Sequence, residues 1–291
     1  RKVRPKSYVR RLSILGILYL LPALLFIILS MIVPVFWNIG LSFMNWNGFS
    51  AMTWAGLSNF AKAFGDHVTM KGFLYSIQVA FASSAIAIAL GMLFAFAVYK
   101  MGTKEGAFYR FVFFGPVMMP FVVIGLLFTF ILAYDVGLVN NVLDLVGLPS
   151  LRRGWLAEPS LVVWSIGAVS GWGSAGFAMI LIYAAIVTIP ASMFEAARLE
   201  GLGYFRQIKD IILPLIMPTV RLVIILMLIV KFKSYDIVFS MTKGGPGDSS
   251  TTAPIRLLQV AFQYNEFGYG AAIGVLLMIL VVIVIAAAQL L

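Results

Sequence analysis

Residues 189–218 read IPASMFEAARLEGLGYFRQIKDIILPLIMP and set a short charged segment between two long apolar runs. Ser192 and Glu195 stand three apart, the spacing of a capping box, and Gly201 falls where a left-handed residue ends a helix. The pattern predicts a capped helix from Ser192 to Glu200, after which Leu213-Pro214 restarts the chain into an apolar run. A bundle of membrane helices has no structural need for such an exposed element. It reads as a handle gripped by another protein. The alternative is a well-capped loop helix that touches nothing.

The flanking runs set the class. Of 291 residues, 62% are apolar and 11% charged, with a mean hydropathy of +1.02. A soluble domain carries roughly 25% charged residues, so this is an integral membrane protein. Apolar runs long enough to cross about 30 Å of hydrocarbon predict six spans near 12–37, 74–99, 111–134, 160–187, 211–233 and 269–291, with the handle loop at 188–213. Their richness in Leu, Ile, Val, Phe and Ala, without strict alternation, points to an all-α bundle and not a barrel. No repeat or low-complexity segment divides the chain, which reads as a single domain over 1–291.

Charge supplies orientation. Lys and Arg number six in 1–11, three in 100–110 and three in 188–213, against two each in 38–71, 135–158 and 234–266. The bias puts both termini, and the handle, in the cytoplasm. The net charge of +10 is then a topology signal, and no basic face on a soluble fold exists to hold nucleic acid. The chain opens without methionine and ends inside an apolar run, which suggests trimming at both ends, with 12–37 too long for a cleaved signal peptide.

Several chemistries are excluded. There is no cysteine, so disulfides, thiol catalysis and iron–sulfur ligation fall away. One histidine, His67 beside Asp66, makes no metal site. No Gly-Lys dipeptide occurs, so no Walker A loop can hold nucleotide phosphates, and no nucleophile–base pair sits in the spans. The chain is not read as an enzyme. At 55–65, Leu57, Phe60, Ala61 and Phe64 lie at i, i+3, i+4 and i+7, an amphipathic helix on the outer surface. Small pairs at Gly167/Gly171 and Gly270/Gly274 read as helix packing.

Glu195-Ala196-Ala197, three residues, Gly201, nine residues, then Ile211-x-Leu213-Pro214 resembles the signature loop of binding-protein-dependent ABC importer permeases. From about Leu12 onward the chain is similar to the sugar branch of that family, near the maltose-type first permease. The shared segments are GLSNF, Gly137-x-x-Asn140-x-x-Leu143, and Thr242-Lys243-Gly244-Gly245-Pro246-Gly247 followed by Phe267-Gly268-Tyr269. Glu200 in place of the usual Asp, Leu202 in place of Ala, and Tyr183, Ala185 and Val187 before Ile189-Pro190 depart from it.

The resemblance implies a type I importer permease fold in a bacterial inner membrane, with a cytoplasmic coupling helix in a groove of a separate ATPase subunit. It also implies a second homologous permease chain, two ATPase subunits holding ATP and Mg, a soluble solute-binding protein and a saccharide. This chain itself would carry no cofactor. Ser192, Glu195, Ala196, Ala197 and Gly201 form the coupling set. Met193 and Phe194 would anchor the helix, Ala196, Ala197 and Gly201 would allow close approach, and Glu195 would be a capping carboxylate. Residues 55–65 and 242–247 would face the binding protein, with Ser58 and Ser249 placed for crosslinking.

The resemblance puts sugar contacts on Trp172, Phe177, Lys231 and Ser234. The two aromatics could stack on sugar rings. Intramembrane charge normally faces a cavity or partner. Arg221 and Lys231, ten residues apart, lie roughly 15 Å apart along a helix and within about 80° of one face. A cationic wall suggests an acidic, uronate-type saccharide. The alternatives are that Lys231 and Lys233 snorkel to the headgroups or that Asp236 neutralises one of them. In those cases a neutral oligosaccharide is the cargo, and a phosphorylated polyol is a further alternative. A non-transporting membrane scaffold or receptor is the reading from a different class.

Overall fold

The computed structural model describes residues 6–289. The first span starts as α1 (Lys6–Ile27), passes a π-helical turn at Ile28–Ile32 and continues as α2 (Val33–Ser42). Pro34 has no N–H to donate back along the helix, and the wider turn accommodates that loss. A two-residue hairpin ladder follows, β1 (Met44–Asn45) antiparallel to β2 (Thr53–Trp54), and then α3 (Ser58–Gly65). The 34-residue α4 (His67–Lys100) is the longest element, about 50 Å at 1.5 Å per residue.

The run expected as a straight span at 111–134 is broken. Its parts are α5 (Thr103–Phe114), a 3-10 turn at Gly115–Met118 and α6 (Phe121–Ile131), bent by 95°. The cause is local. Pro116 and Pro120 each lack a donor, and Met119, just before Pro120, is extended at φ −86°, ψ 137°, as a residue preceding proline prefers.

The rest is α7 (Leu138–Leu145), α8 (Val162–Val187), α9 (Ala191–Leu199) and α10 (Tyr204–Gln207). A π-turn at Ile208–Ile212, again ahead of a proline (Pro214), carries α10 into α11 (Leu213–Phe232). Then come α12 (Asp236–Thr242), α13 (Ala253–Leu258) and α14 (Phe267–Gln289). Five helices among the described residues are long and apolar enough to cross a membrane. The bent α5–α6 pair makes a sixth if it is one span, and the other five expected runs each have a long apolar helix as counterpart.

The bundle is built on α4 and α8. Small residues let them touch: a Cβ at Gly167 would stand 2.8 Å from Ala82 Cβ, and one at Gly171 2.7 Å from Ile86 Cβ. Close approach of this kind maximises dispersion contact where lipid offers no hydrophobic drive. Toward α9, Ile182 and Ile186 of α8 pack with Ile212, Ile216, Val220 and Val223, and with Ala95 and Val98 of α4. Toward the opposite end, Val162, Val163, Ile166 and Val169 pack with Ile124 of α6 and Ile237, Val238 and Met241 of α12. The first span stands apart, with none of its most apolar window buried. It leans on the bundle through α2, where Asn38 Nδ2 donates to Ala271 O at 3.4 Å.

Candidate functional site

Helix α9 hangs between α8 and α11, the two spans that flank it in sequence. Its N-terminus is not the expected capping box. Pro190 (φ −59°, ψ 134°) is the N-cap, Ser192 already lies inside the helix, and no side chain caps it. The extended Pro190 starts the helix at Ala191, one residue ahead of Ser192, so the serine hydroxyl has no cap geometry to fill. Glu195 makes no hydrogen bond or ion pair among the described residues and is exposed.

The C-terminus follows the expectation. Gly201 is left-handed at φ +74°. Its N–H donates to Arg198 O at 3.0 Å, and Leu202 N–H donates to Ala197 O at 2.9 Å. These are the two bonds of a Schellman motif.

Packing assigns the faces of α9 differently from the sequence. Phe194 is 8% exposed, its ring 5.7 Å from that of Tyr99, and Ala197 is buried beside it in the chain's own core. Neither is free to anchor a partner. Met193 lines a groove of about 500 Å³ with Ala184, Ile189, Leu215 and Thr219. What points outward is Ser192, Glu195, Ala196 and Leu199, all exposed. Their spacing of i, i+3, i+4 and i+7 makes a single stripe. Leu199 is 90% exposed, and Phe205 in α10 nearly as much. These two apolar side chains were absent from the expected set. For Leu199 the signal was an apolar residue at the next helical repeat after Ala196; Phe205, in the separate helix α10, had none. The departure at Tyr183 has a local partner: its hydroxyl accepts from Arg110 Nη1 at 2.7 Å.

Within the spans, Lys231 is 2% exposed. Its Nζ donates to Ser170 O at 2.9 Å, Ser170 Oγ at 2.9 Å and Ser174 Oγ at 2.6 Å, and sits 4.5 Å from the centre of the Phe121 ring. No carboxylate lies within 4 Å of it among the described residues. Neither a cavity wall nor a snorkelling side chain describes this lysine. Three acceptors on α8 and α6's aromatic cover draw it inward, because an unsatisfied ammonium in an apolar setting is far costlier. Asp236, the proposed neutralising carboxylate, is exposed at the start of α12, as is Lys233 at the end of α11.

The other path candidates do not converge on it. Trp172 and Phe177 are five residues apart on α8, about 140° around the helix. Trp172 is half-buried, 5.3 Å from Phe128 of α6, and lines an apolar groove of about 490 Å³ with Trp155 and Trp164. Phe177 is exposed on another face. Ser234 is half-buried just past α11, its N–H donating to Lys231 O at 3.1 Å. Arg221 sits mid-span, exposed, with no hydrogen-bond or ion-pair partner among the described residues.

The end of the bundle opposite α9 holds two polar hubs that sequence reasoning missed. Asn140, fully buried, donates from Nδ2 to Tyr134 O and Arg153 O, both at 3.0 Å, and accepts from Trp155 Nε1 at 2.9 Å. It ties the 134–155 excursion together. Asp66 caps α4, Oδ1 accepting from Val68 N at 2.9 Å, while Oδ2 accepts from Arg256 Nη2 at 2.7 Å, Tyr269 OH at 2.8 Å and Thr69 Oγ1 at 2.9 Å. Burial alone would raise the Asp66 carboxyl. The hydrogen bonds from Arg256, Thr69 and Tyr269 outweigh it and hold the carboxyl well below the usual carboxylate range. On the same end, α3 turns Asn59 and Ala63 inward and rests Phe60 on Phe43, while Leu57, Ala61 and Phe64 of its apolar stripe stay exposed. Ser58 is exposed but Ser249 is buried, so the exposed tip of that loop is Gly247 and Asp248.

The chain is 33% identical over 270 residues to YurN of Bacillus subtilis, named a probable ABC transporter permease protein, covering 92% of each. It is 31% identical over 280 residues to the diacetylchitobiose uptake system permease protein NgcF of Streptomyces coelicolor, covering 91% of this chain and 77% of that one. In fold it matches a chain of a bacterial ABC transporter involved in importing the acidic polysaccharide alginate. The TM-score is 0.81 at 20% identity, covering 97% of this chain and 96% of the other. It also matches a chain of a bacterial alginate ABC transporter in complex with an alginate pentasaccharide-bound periplasmic protein, at a TM-score of 0.80 and 20% identity, covering 98% of this chain and 96% of the other. Residues 87–291 match the family model, and the chain belongs to the binding-protein-dependent transport system inner membrane components.

Proposed function

We propose that this chain is the permease subunit forming half of the translocation pathway of an ATP-driven saccharide importer, with its whole length acting as one transmembrane domain. The observation that carries the reading is α9. It is a firmly terminated helix fused to the bundle by Phe194 and Ala197, and it turns a stripe of Ser192, Glu195, Ala196 and Leu199 away from it. This is the form of a rigid contact between a membrane bundle and a moving partner. The α9 end faces the cytoplasm, in keeping with the excess of Lys and Arg in the loops at that end.

ATP and Mg belong to two partner ATPase subunits, and this chain transmits their motion. Gly201 and Ala197 shape the coupling helix. The exposed stripe touches the ATPase. A second, related permease covers the unpaired Arg221 and the bare first span, since intramembrane charge seeks a cavity or a partner. A solute-binding protein delivers cargo at the opposite end, over α3, α7 and the tip at Gly247 and Asp248.

The saccharide class is supported by the uptake function printed for the NgcF relative and by the likeness in fold to the alginate importer. Phe177 and Arg221, exposed on α8 and α11, line the path, Ser234 stands near its outer end, and Trp172 contributes its groove. Arg221 is the cation that would meet an acidic saccharide. Lys231, whose donors are already filled, favours the second reading, a neutral oligosaccharide. Arg221→Gln in reconstituted vesicles separates them. Selective loss of acidic-saccharide uptake supports the first, and equal effects on acidic and neutral cargo support the second. ATP hydrolysis unaffected by any loaded binding protein in the copurified complex would instead leave the scaffold reading.

A further inference from the structure

Lys231 offers nothing to a ligand, since each of its three N–H groups already has an acceptor on α8 and the Phe121 ring covers it. What it does is join two helices. Helix α8 runs into α9 through residues 188–190, and the continuous helix Tyr204–Phe232 leaves it. The three form a hairpin with α9 at its tip. Near the tip, α8 and α11 meet through Ile182, Ile186, Ile216 and Val220. Far from it, they meet through Lys231.

Ser170 lies 21 residues before Ala191, about 30 Å along a helix, and Lys231 lies 27 residues after Tyr204, about 40 Å. The apolar side chains beside Lys231 turn to other helices, Leu228 and Phe232 packing with Ala80 of α4 and Ala288 of α14. The directed bonds from the buried ammonium to three oxygens are what tie this end of α11 to α8.

We infer that Lys231 is a positioning residue that locks the far ends of α8 and α11, so that the hairpin carrying α9 moves as one lever. A push on α9 then rotates both spans together and does not splay them. This rests on the transport reading proposed above.

Two arms test it, both in the full transporter in vesicles. In the first, nitroxide labels at Ala168→Cys and Val230→Cys, both exposed positions in a chain without native cysteine, report the distance across the far end of the hairpin. A narrow distribution is expected for Lys231 and a broad one for Lys231→Met, which keeps the length and removes the donors. In the second, saccharide uptake per ATP hydrolysed should fall by about two- to thirtyfold in Lys231→Met, the span of coupling mutations, with ATP hydrolysis still stimulated by the binding protein. Ser170→Ala with Ser174→Ala repeats both arms if Lys231→Met fails to assemble.

A narrow distance with unchanged coupling overturns the inference. So does a change confined to apparent affinity for acidic over neutral cargo, which would make Lys231 a substrate contact. If the wild-type complex transports nothing, the transport reading fails and the distance arm alone decides the pin.

Discussion

Replacing Gly201 tests whether the shape of the α9 terminus carries the coupling. The residue is held at φ +74°, and no atom lies within 4 Å of where its Cβ would stand. A substitution therefore meets no collision inside the chain, and the cost is conformational. An L-residue forced into the left-handed region loses about 1–2 kcal/mol, with a β-branched residue at the upper end. Asn adopts that region readily. Gly201→Val should therefore shift α9 out of its terminated form by a factor of about 5–30, while Gly201→Asn should keep most of it.

The assay is saccharide uptake and ATP hydrolysis measured together in vesicles holding the complete transporter. Gly201→Val is expected to lower uptake per ATP by that factor without changing the melting temperature of the bundle. Gly201→Asn should stay near wild type. Equal losses in both variants would place the sensitivity in the space outside the helix. Full coupling in Gly201→Val would show that the left-handed terminus of α9 does not carry the coupling.

Three further outcomes follow from the same geometry. Glu195→Gln should change stability by no more than about 0.5 kcal/mol, since Glu195 caps nothing, yet weaken complex formation with the ATPase in a pull-down. Gly171→Leu should destabilise the α4–α8 contact by about 1–3 kcal/mol through overpacking, read as a lower melting temperature in detergent. Asp66→Asn should cost about 2–3 kcal/mol, less than the roughly 3–5 of a fully buried pair, because the Asp66 and Arg256 side chains remain 19% and 13% exposed. The Asp66 carboxyl is depressed in the folded state. Its contribution is complete above the unfolded value of about 4 and lost as pH falls below it, so wild-type melting should decline in acid and that of Asp66→Asn should not.

Much of the architecture was legible. The five long apolar helices, the glycine that ends α9 and the close approach at Gly167 and Gly171 all follow from runs, spacing and residue size. The capping box misled because Pro190 pre-empts the N-cap, and a proline's ψ is not written in a three-residue spacing. The break at Met119 was signalled by Pro116 and Pro120 but hidden by an unbroken apolar run. The site was harder to see. Asp66 meets Arg256 and Tyr269 across some 190 and 203 residues, and Lys231 meets Ser170 across 61. No local pattern encodes such pairs. Trp172 and Phe177 could have been separated in advance, since five residues of helix turn them to different faces.

The Ser192–Leu199 stripe of α9 is proposed as the contact through which an ATPase moves the bundle. The chain has no cysteine, so Leu199→Cys is a unique thiol at the most exposed point of that stripe. A short bifunctional thiol reagent should join it to cysteines placed along one groove of the ATPase subunit, and the joined complex should lose ATP-driven uptake. Leu145→Cys, nearly as exposed on α7 at the other end of the bundle, should give no such product. Crosslinking to the ATPase from Leu145→Cys and not from Leu199→Cys, or full uptake with α9 covalently fixed, would rule out α9 as that contact.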